Sequence, residues 1–69
     1  MTKYEIILYW SAEDSAFIAE VPELPGGSAD GETRMQALES VETVILERIE
    51  TAEALGRPIP EPKGRLLFA

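Results

Sequence analysis

The sequence contains neither cysteine nor histidine, and aromatic residues make up only 7% of it. Without cysteine, the chain can form no disulfide and offers no thiolate ligand to a metal. Without histidine, it lacks the commonest zinc ligand and the usual general base near neutral pH. These absences argue against a zinc site and against most nucleophilic catalysis, and they favour a protein that binds rather than catalyses.

Basic residues are also scarce, because six Lys and Arg stand against 13 Asp and Glu, for a net charge of -7. Nucleic-acid binding depends on Lys and Arg that neutralise phosphates, so we expect no direct binding to DNA or RNA. The same acidic field would attract and steer a basic protein partner. An acidic balance that serves solubility alone remains the alternative.

Long apolar runs are missing too, since none approaches the roughly 20 residues that span a bilayer. The first residues also lack the apolar region of a signal peptide, so we expect a cytoplasmic protein. A chain of 69 residues predicts a single domain, residues 1–69, with a thin core. Because neither disulfides nor thiolate-bound metal can add stability, we expect a homo-oligomer, either a dimer or a tetramer.

Two segments rich in β-branched and aromatic residues predict a hairpin of strands at residues 4–10 and 16–21. Alternation along these strands separates an inner face from an outer face. The predicted inner residues are Tyr4, Ile6, Leu8, Trp10, Phe17, Ala19 and Val21. The outer face would carry Glu5 and Glu20, whose charges fix which side looks outward.

Three apolar residues, Ile7, Tyr9 and Ile18, also fall on the predicted outer face. One exposed apolar side chain means little, but three on a small sheet predict a surface that another subunit or a partner covers. The alternative is scattered surface residues flanked by charge.

The chain turns at a proline-rich corner after the second predicted strand. The corner consists of Val21, Pro22, Glu23, Leu24, Pro25 and Gly26. Two prolines and a glycine so close together can continue neither a strand nor a helix. The corner leads into a short third strand, predicted at residues 27–30.

A long helix is predicted at residues 34–55. Thr33 is suited to be its N-cap, with Gln36 completing a capping box, and Gly56 is suited to be its C-cap. We expect Gly31 to turn the chain before the helix with a positive φ. The apolar stripe of the predicted helix consists of Ala37, Val41, Val44, Ile45, Ile49 and Ala52.

After the helix, residues 57–62 alternate proline with other residues, which predicts an extended spacer. A last strand is predicted at residues 65–68, beside the first strand, and its Leu66 and Phe68 are further candidate contacts with a partner or second subunit. The predicted fold class is α+β. Its three- or four-stranded, mainly antiparallel sheet packs on one long helix in the order β-β-β-α-β, which is partly ribonuclease H-like.

Catalysis would have to rest on carboxylates. The best candidates for a Mg²⁺ site of the ribonuclease H type are Glu5 on the first strand and either Glu39 or Glu42 on the helix. Because Glu5 is assigned to the face away from the helix, these groups are not expected to converge. We therefore predict no enzymatic activity, no metal and no cofactor, and keep a degenerate nuclease as the weakest alternative.

The ordered motifs resemble the HicB-type antitoxin domain over nearly the whole chain. The matching segments are residues 4–10, the acidic turn at Glu13 and Asp14, residues 17–26, residues 31–33, and residues 59–62. The resemblance implies a partner that is a small basic HicA-type toxin, which cleaves mRNA and whose active surface the antitoxin covers. It also implies a short form without the DNA-binding segment that many members carry. An orphan module that only assembles with itself remains the alternative.

Overall fold

The computed structural model describes residues 3–60 of the chain. Its elements are, in order, β1 (Ile7–Ser11), β2 (Ala16–Glu20), β3 (Ser28–Gly31) and α1 (Arg34–Leu55). The strands form one antiparallel sheet in the order β1-β2-β3, and α1 packs on one side of it. The predicted α+β class is therefore confirmed. The predicted last strand, with Leu66 and Phe68, lies outside the described residues.

The helix has the predicted bounds, whereas the strand ends differ. The first strand begins at Ile7 rather than at residue 4, the second ends at Glu20 rather than at residue 21, and the third runs from Ser28 to Gly31 rather than from residue 27 to 30. Val21 instead donates its backbone N–H to the carbonyl of Gly27 at 2.7 Å, so it belongs to the corner.

The hairpin turn between β1 and β2 is closed by its own polar side chains. The Ser11 hydroxyl donates to an Asp14 carboxylate oxygen at 3.0 Å, and the Asp14 backbone N–H donates to the Ser11 hydroxyl oxygen at 3.3 Å. Ser15 has a φ of 50°, which lets the chain reverse into β2. These local bonds explain why a polar cluster makes this turn.

Both ends of α1 are capped, with one difference from the expected geometry. The Gln36 backbone N–H donates to the Thr33 hydroxyl at 3.1 Å, as predicted for an N-cap. The Gln36 side chain, however, accepts from the N–H of Glu32, one residue before the cap, so the predicted capping box is wrong in its second bond. Gly56 ends the helix in the left-handed conformation (φ 67°), as predicted.

Gly31 does not have the positive φ that the sequence suggested, because it is the last residue of β3. Close packing explains why a glycine occupies this position. A Cβ built at Gly31 would lie 2.5 Å from the backbone nitrogen of Ala37 and 2.7 Å from the Cβ of Gln36. The start of α1 therefore approaches the end of β3 to a distance that no larger residue permits.

The core lies between α1 and the β2–β3 part of the sheet. Its fully buried members on α1 are Ala37, Val41 and Ile45, each with no exposed surface. They pack with Ala19 on β2 and with Leu24 of the corner. Among residues 3–60, no helix combines the length and apolar character that crossing a bilayer requires.

The prediction that Leu8 and Trp10 would be buried beneath the helix is wrong. Leu8 remains 38% exposed and Trp10 54% exposed, although both lie on the helix side of the sheet. The reason is the position of α1, which packs mainly on β3 and β2 and reaches β1 only marginally. The inner face of β1 is thus left largely uncovered.

Candidate protein-binding surface

The side of the sheet opposite α1 brings together the predicted outer residues. Cross-strand pairing joins Ile7 to Glu20, Tyr9 to Ile18, and Ile18 to Asp30, so these five side chains share one face. We call these five residues the outer face. Ile7 is 40% exposed and Tyr9 43% exposed, whereas Ile18 on the central strand is half-buried.

The outer face has an acidic border. Glu20 and Asp30 are both exposed, and the three strands contain no Lys or Arg. Burial raises the pKa of Tyr9. This pKa is raised further by the charge of Glu20, by the hydrogen bond between Glu20 and the Tyr9 hydroxyl, and by the charge of Asp14. A cation that approaches this face therefore meets carboxylates around apolar side chains.

The proline-rich corner adjoins one end of the outer face. A hollow of about 400 Å³ is lined by Ile7 and Glu20 from the outer face and by Pro22, Pro25 and Ser28 from the corner and the start of β3. The sequence motif and the predicted contact residues therefore meet at this end of the sheet. Pro22 and Pro25 are exposed there.

The corner is held by bonds within itself and to α1. Leu24 turns inward and is only 6% exposed, and its carbonyl accepts from the N–H of Gly27 at 2.9 Å. Gly26 has a φ of 75°, and its carbonyl accepts from the Arg48 guanidinium at 3.3 Å. Glu23 is half-buried, and its negative charge adds to burial in raising the pKa of Tyr4. The corner is thus a rigid support for the hollow.

A second groove, of about 620 Å³, separates the corner from the chain that follows α1. Arg48, Arg57 and Glu47 line it together with Ile49 and Ile59, so two positive charges stand against one negative charge. This groove therefore differs in charge from the outer face.

The inner side of β1 extends the apolar surface around the edge of the sheet. Trp10 contacts Phe17 edge to face, with ring centroids 5.1 Å apart, and the Arg34 guanidinium carbon lies 4.8 Å from the centre of the Phe17 ring. Sequence reasoning missed this exposed surface because it placed the helix over all three strands. The small residues Ala29 and Gly31 on β3 were the available signal for where the helix would approach.

The carboxylates considered for a metal site are not assembled into one. Among residues 3–60, no group of three or more His, Cys, Asp or Glu side chains is arranged to hold a metal ion. Glu39 and Glu42 lie on α1, and Glu5 precedes β1. The described residues thus supply no basis for deriving metal-dependent chemistry.

Together these features define a small α+β domain whose sheet presents an apolar, acid-bordered face opposite its helix. No protein-family model matches the sequence, and comparison with curated proteins and with solved structures also gives no match. The relation to HicB-type antitoxins expected from the sequence therefore has the order of the sequence motifs as its sole basis.

Proposed function

We propose that this protein is a HicB-like antitoxin of the cytoplasm that neutralises a small basic mRNA-cleaving toxin of the HicA type. It would do so by protein–protein binding, without catalysis, cofactor, membrane attachment or direct contact with nucleic acid. The observation that carries the proposal is the outer face, where exposed Ile7 and Tyr9 are bordered by Glu20 and Asp30. The motif order of the sequence supports the same function.

The chemistry of the outer face suits a ribonuclease as its partner. A protein that binds RNA needs Lys and Arg on its active surface to neutralise phosphates. Carboxylates at Glu20 and Asp30 offer those cations an alternative partner, and they also steer the encounter. The apolar side chains between them supply area that is removed from water on binding, which carboxylates alone cannot supply.

The size of the outer face determines how much more surface the partner must contact. Strands of five residues are roughly 17 Å long and neighbouring strands lie roughly 5 Å apart, so three strands offer on the order of 200 Å². A stable complex buries roughly 800 Å² on each partner. The interface we propose therefore extends over the corner hollow at Pro22 and Pro25 and around the edge of β1.

The test uses a purified HicA-type toxin whose catalytic histidine has been replaced, titrated calorimetrically with this protein. Tyr9→Lys adds a positive charge to the outer face beside Ile18, and we expect the dissociation constant to rise about tenfold or more. Leu46→Lys is the matched control, because Leu46 is an exposed apolar residue of α1 (55% exposed). It should leave affinity unchanged.

Two results would count against the proposal. One is an absence of binding to HicA-type toxins together with no rescue of growth when toxin and protein are co-expressed. The other is equal affinity of the Tyr9→Lys and Leu46→Lys variants, which would remove the outer face as the contact.

In the proposed complex, affinity for the toxin also falls as salt is added, because Glu20 and Asp30 contribute through charge.

A self-assembling interaction module without a toxin partner is the second candidate. It is favoured by β1, whose Leu8 and Trp10 are exposed on the helix side while Ile7 and Tyr9 are exposed on the other. Sedimentation of the protein alone separates the two functions. Assembly that Tyr9→Lys abolishes, without any affinity for the toxin, would favour the module.

A further inference from the structure

The groove between the corner and the chain that follows α1 has no part in the proposed function. It measures about 620 Å³, and its walls come from the corner at Pro25, from the second half of α1, and from residues 57–60. Clefts that bind small molecules measure roughly 300–1,000 Å³. The groove therefore has the size of a small-molecule site.

The walls of this groove are held in place by bonds and packing within the chain. The Arg57 backbone N–H donates to the carbonyl of Ala52 at 2.8 Å, and Ile59 packs against the core. The Arg48 guanidinium donates to the carbonyl of Gly26 at 3.3 Å, so α1 is bonded to the corner. A site whose walls are already ordered loses little conformational freedom when a ligand binds.

The groove is locally positive in a strongly negative protein. Arg48 and Arg57 are two of the six Lys and Arg in the chain, and Glu47 is the one carboxylate among the lining residues. The Gly26 carbonyl is uncharged and occupies one of the five N–H donors of a guanidinium, so its bond leaves the charge of Arg48 in place. Positive charge beside apolar walls attracts an anion.

The lining residues also indicate which kind of anion fits. Val44, Ile49 and Ile59 are half-buried and offer apolar surface to a ligand that has an apolar body. A dianion such as phosphate would exceed the local positive charge and be repelled by Glu47. A polyanion would be repelled by the net charge of -7. One carboxylate on an apolar body matches both the charge and the surface.

We propose that the groove binds a small monocarboxylic acid with an apolar body. Arg48 and Arg57 supply the charge that attracts its carboxylate, and the body packs on Ile49 and Ile59. The site is separate from the outer face, so it does not depend on the existence of a toxin partner.

Titration of the isotope-labelled full chain with octanoate, followed by NMR, tests this site. Octanol has the same alkyl chain without the charge, and acetate has the charge without the alkyl chain. We expect octanoate to shift the amide signals of Ile49 and Ile59 with a dissociation constant of about 1–10 mM. Octanol and acetate should bind about tenfold more weakly. Equal affinity for octanol, or no shift at about 20 mM octanoate, would overturn the proposal.

Two variants of the arginines test the source of the charge. Arg48→Met and Arg57→Met keep an unbranched apolar side chain, and each should weaken octanoate binding about fivefold. Arg34→Met is the matched control, because Arg34 lies roughly 20 Å from Arg48 along the helix axis, beyond the range of unscreened charge. It should leave the dissociation constant unchanged. An equal loss in all three variants would mean that the net charge, and not the groove, attracts octanoate.

Glu47→Gln provides a test in the opposite direction. It removes the negative charge that lines the groove, so octanoate should bind about twofold more tightly. Glu39→Gln makes the same change in net charge roughly 12 Å away along α1 and should have no effect. Damage to the fold does not produce a gain in affinity. A Glu47→Gln variant that binds octanoate no better than Glu39→Gln would contradict the proposed site.

Discussion

The two edges of the sheet differ in the size of their residues and in their cover. β3 reads Ser-Ala-Asp-Gly, and α1 lies close against it, with its Ala37 nitrogen where a Gly31 side chain would begin. β1 reads Ile-Leu-Tyr-Trp-Ser, and its Leu8 and Trp10 remain exposed on the side that α1 occupies. The helix therefore packs closest to the strand with the smallest side chains, rather than to the strand with the most apolar residues.

The difference has a physical basis in packing distance. Ala19, Ala29 and Ala37 let the helix backbone approach β2 and β3 closely, so that Val41 and Ile45 are completely buried. A helix centred over Leu8 and Trp10 would be held away from β2 by their bulk, leaving gaps that lose contacts. The β2–β3 part of the sheet thus forms the core with α1, and the inner face of β1 is left exposed.

The largest expected effect is the difference in the free energy of unfolding between truncating a buried residue and truncating an exposed one. Ile45→Ala should lower the free energy of unfolding by about 2–5 kcal/mol, because Ile45 is fully buried and its removal leaves a cavity. Leu8→Ala should cost only about 1 kcal/mol, since much of its side chain is already in water. Urea unfolding of both variants measures the difference. Similar losses would mean that β1 is as well covered as the core.

A second prediction tests the close approach of α1 to β3. Gly31→Ala should cost about 1–3 kcal/mol, because its new methyl group meets the Ala37 backbone at 2.5 Å. Gly56→Ala is the comparison, since a Cβ there meets nothing within 4 Å and the cost of about 1 kcal/mol comes from its positive φ alone. Thermal unfolding should rank Gly31→Ala as the less stable variant. The reverse order would show that α1 can move away from β3 at little cost.

The smallest expected effect concerns Tyr4, which connects the segment that follows α1 to the segment that precedes β1. Burial, and then the charge of Glu23, raise its pKa above the ordinary value of 10.0, so the folded state favours the neutral phenol. The stabilising contribution is complete below about pH 10 and is lost as the pH rises through the folded pKa, because the unfolded chain ionises first.

Two variants isolate this contribution. Tyr9→Phe leaves Tyr4 as the single tyrosine, and Tyr4→Phe in the same background also removes the hydrogen bond to Pro60. At about pH 8 the double variant should be less stable by about 1 kcal/mol. This gap should narrow as the pH approaches about 11. A gap independent of pH would mean that Tyr4 titrates alike in folded and unfolded chains.

Local signals in the sequence were sufficient for the helix. Thr33, the apolar stripe through Val41 and Ile45, and Gly56 fixed its bounds, because capping and 3.6-residue periodicity act over a few residues. The outer positions of Ile7 and Tyr9 followed from alternation along a strand in the same way. These features depend on neighbours in sequence, so no knowledge of the packing was needed.

Features that depend on distant contacts were not predictable in the same way. The sequence assigned Gly31 to a turn, but its role is set by Ala37 and Gln36 approaching from the helix. It assigned Leu8 and Trp10 to the core, but the position of α1 over the other two strands leaves them exposed. A lateral shift of a helix on a sheet changes no local pattern.

The sequence by itself determined the order of strands and helix, the rigid corner, and an acidic chain without histidine or cysteine, because propensity, capping and charge are properties of residues and their near neighbours. Only the tertiary structure decided which strands of the sheet the helix covers. That outcome depends on how closely Gly31 and Ala37 let two backbones meet, and such a distance exists only once the chain has folded.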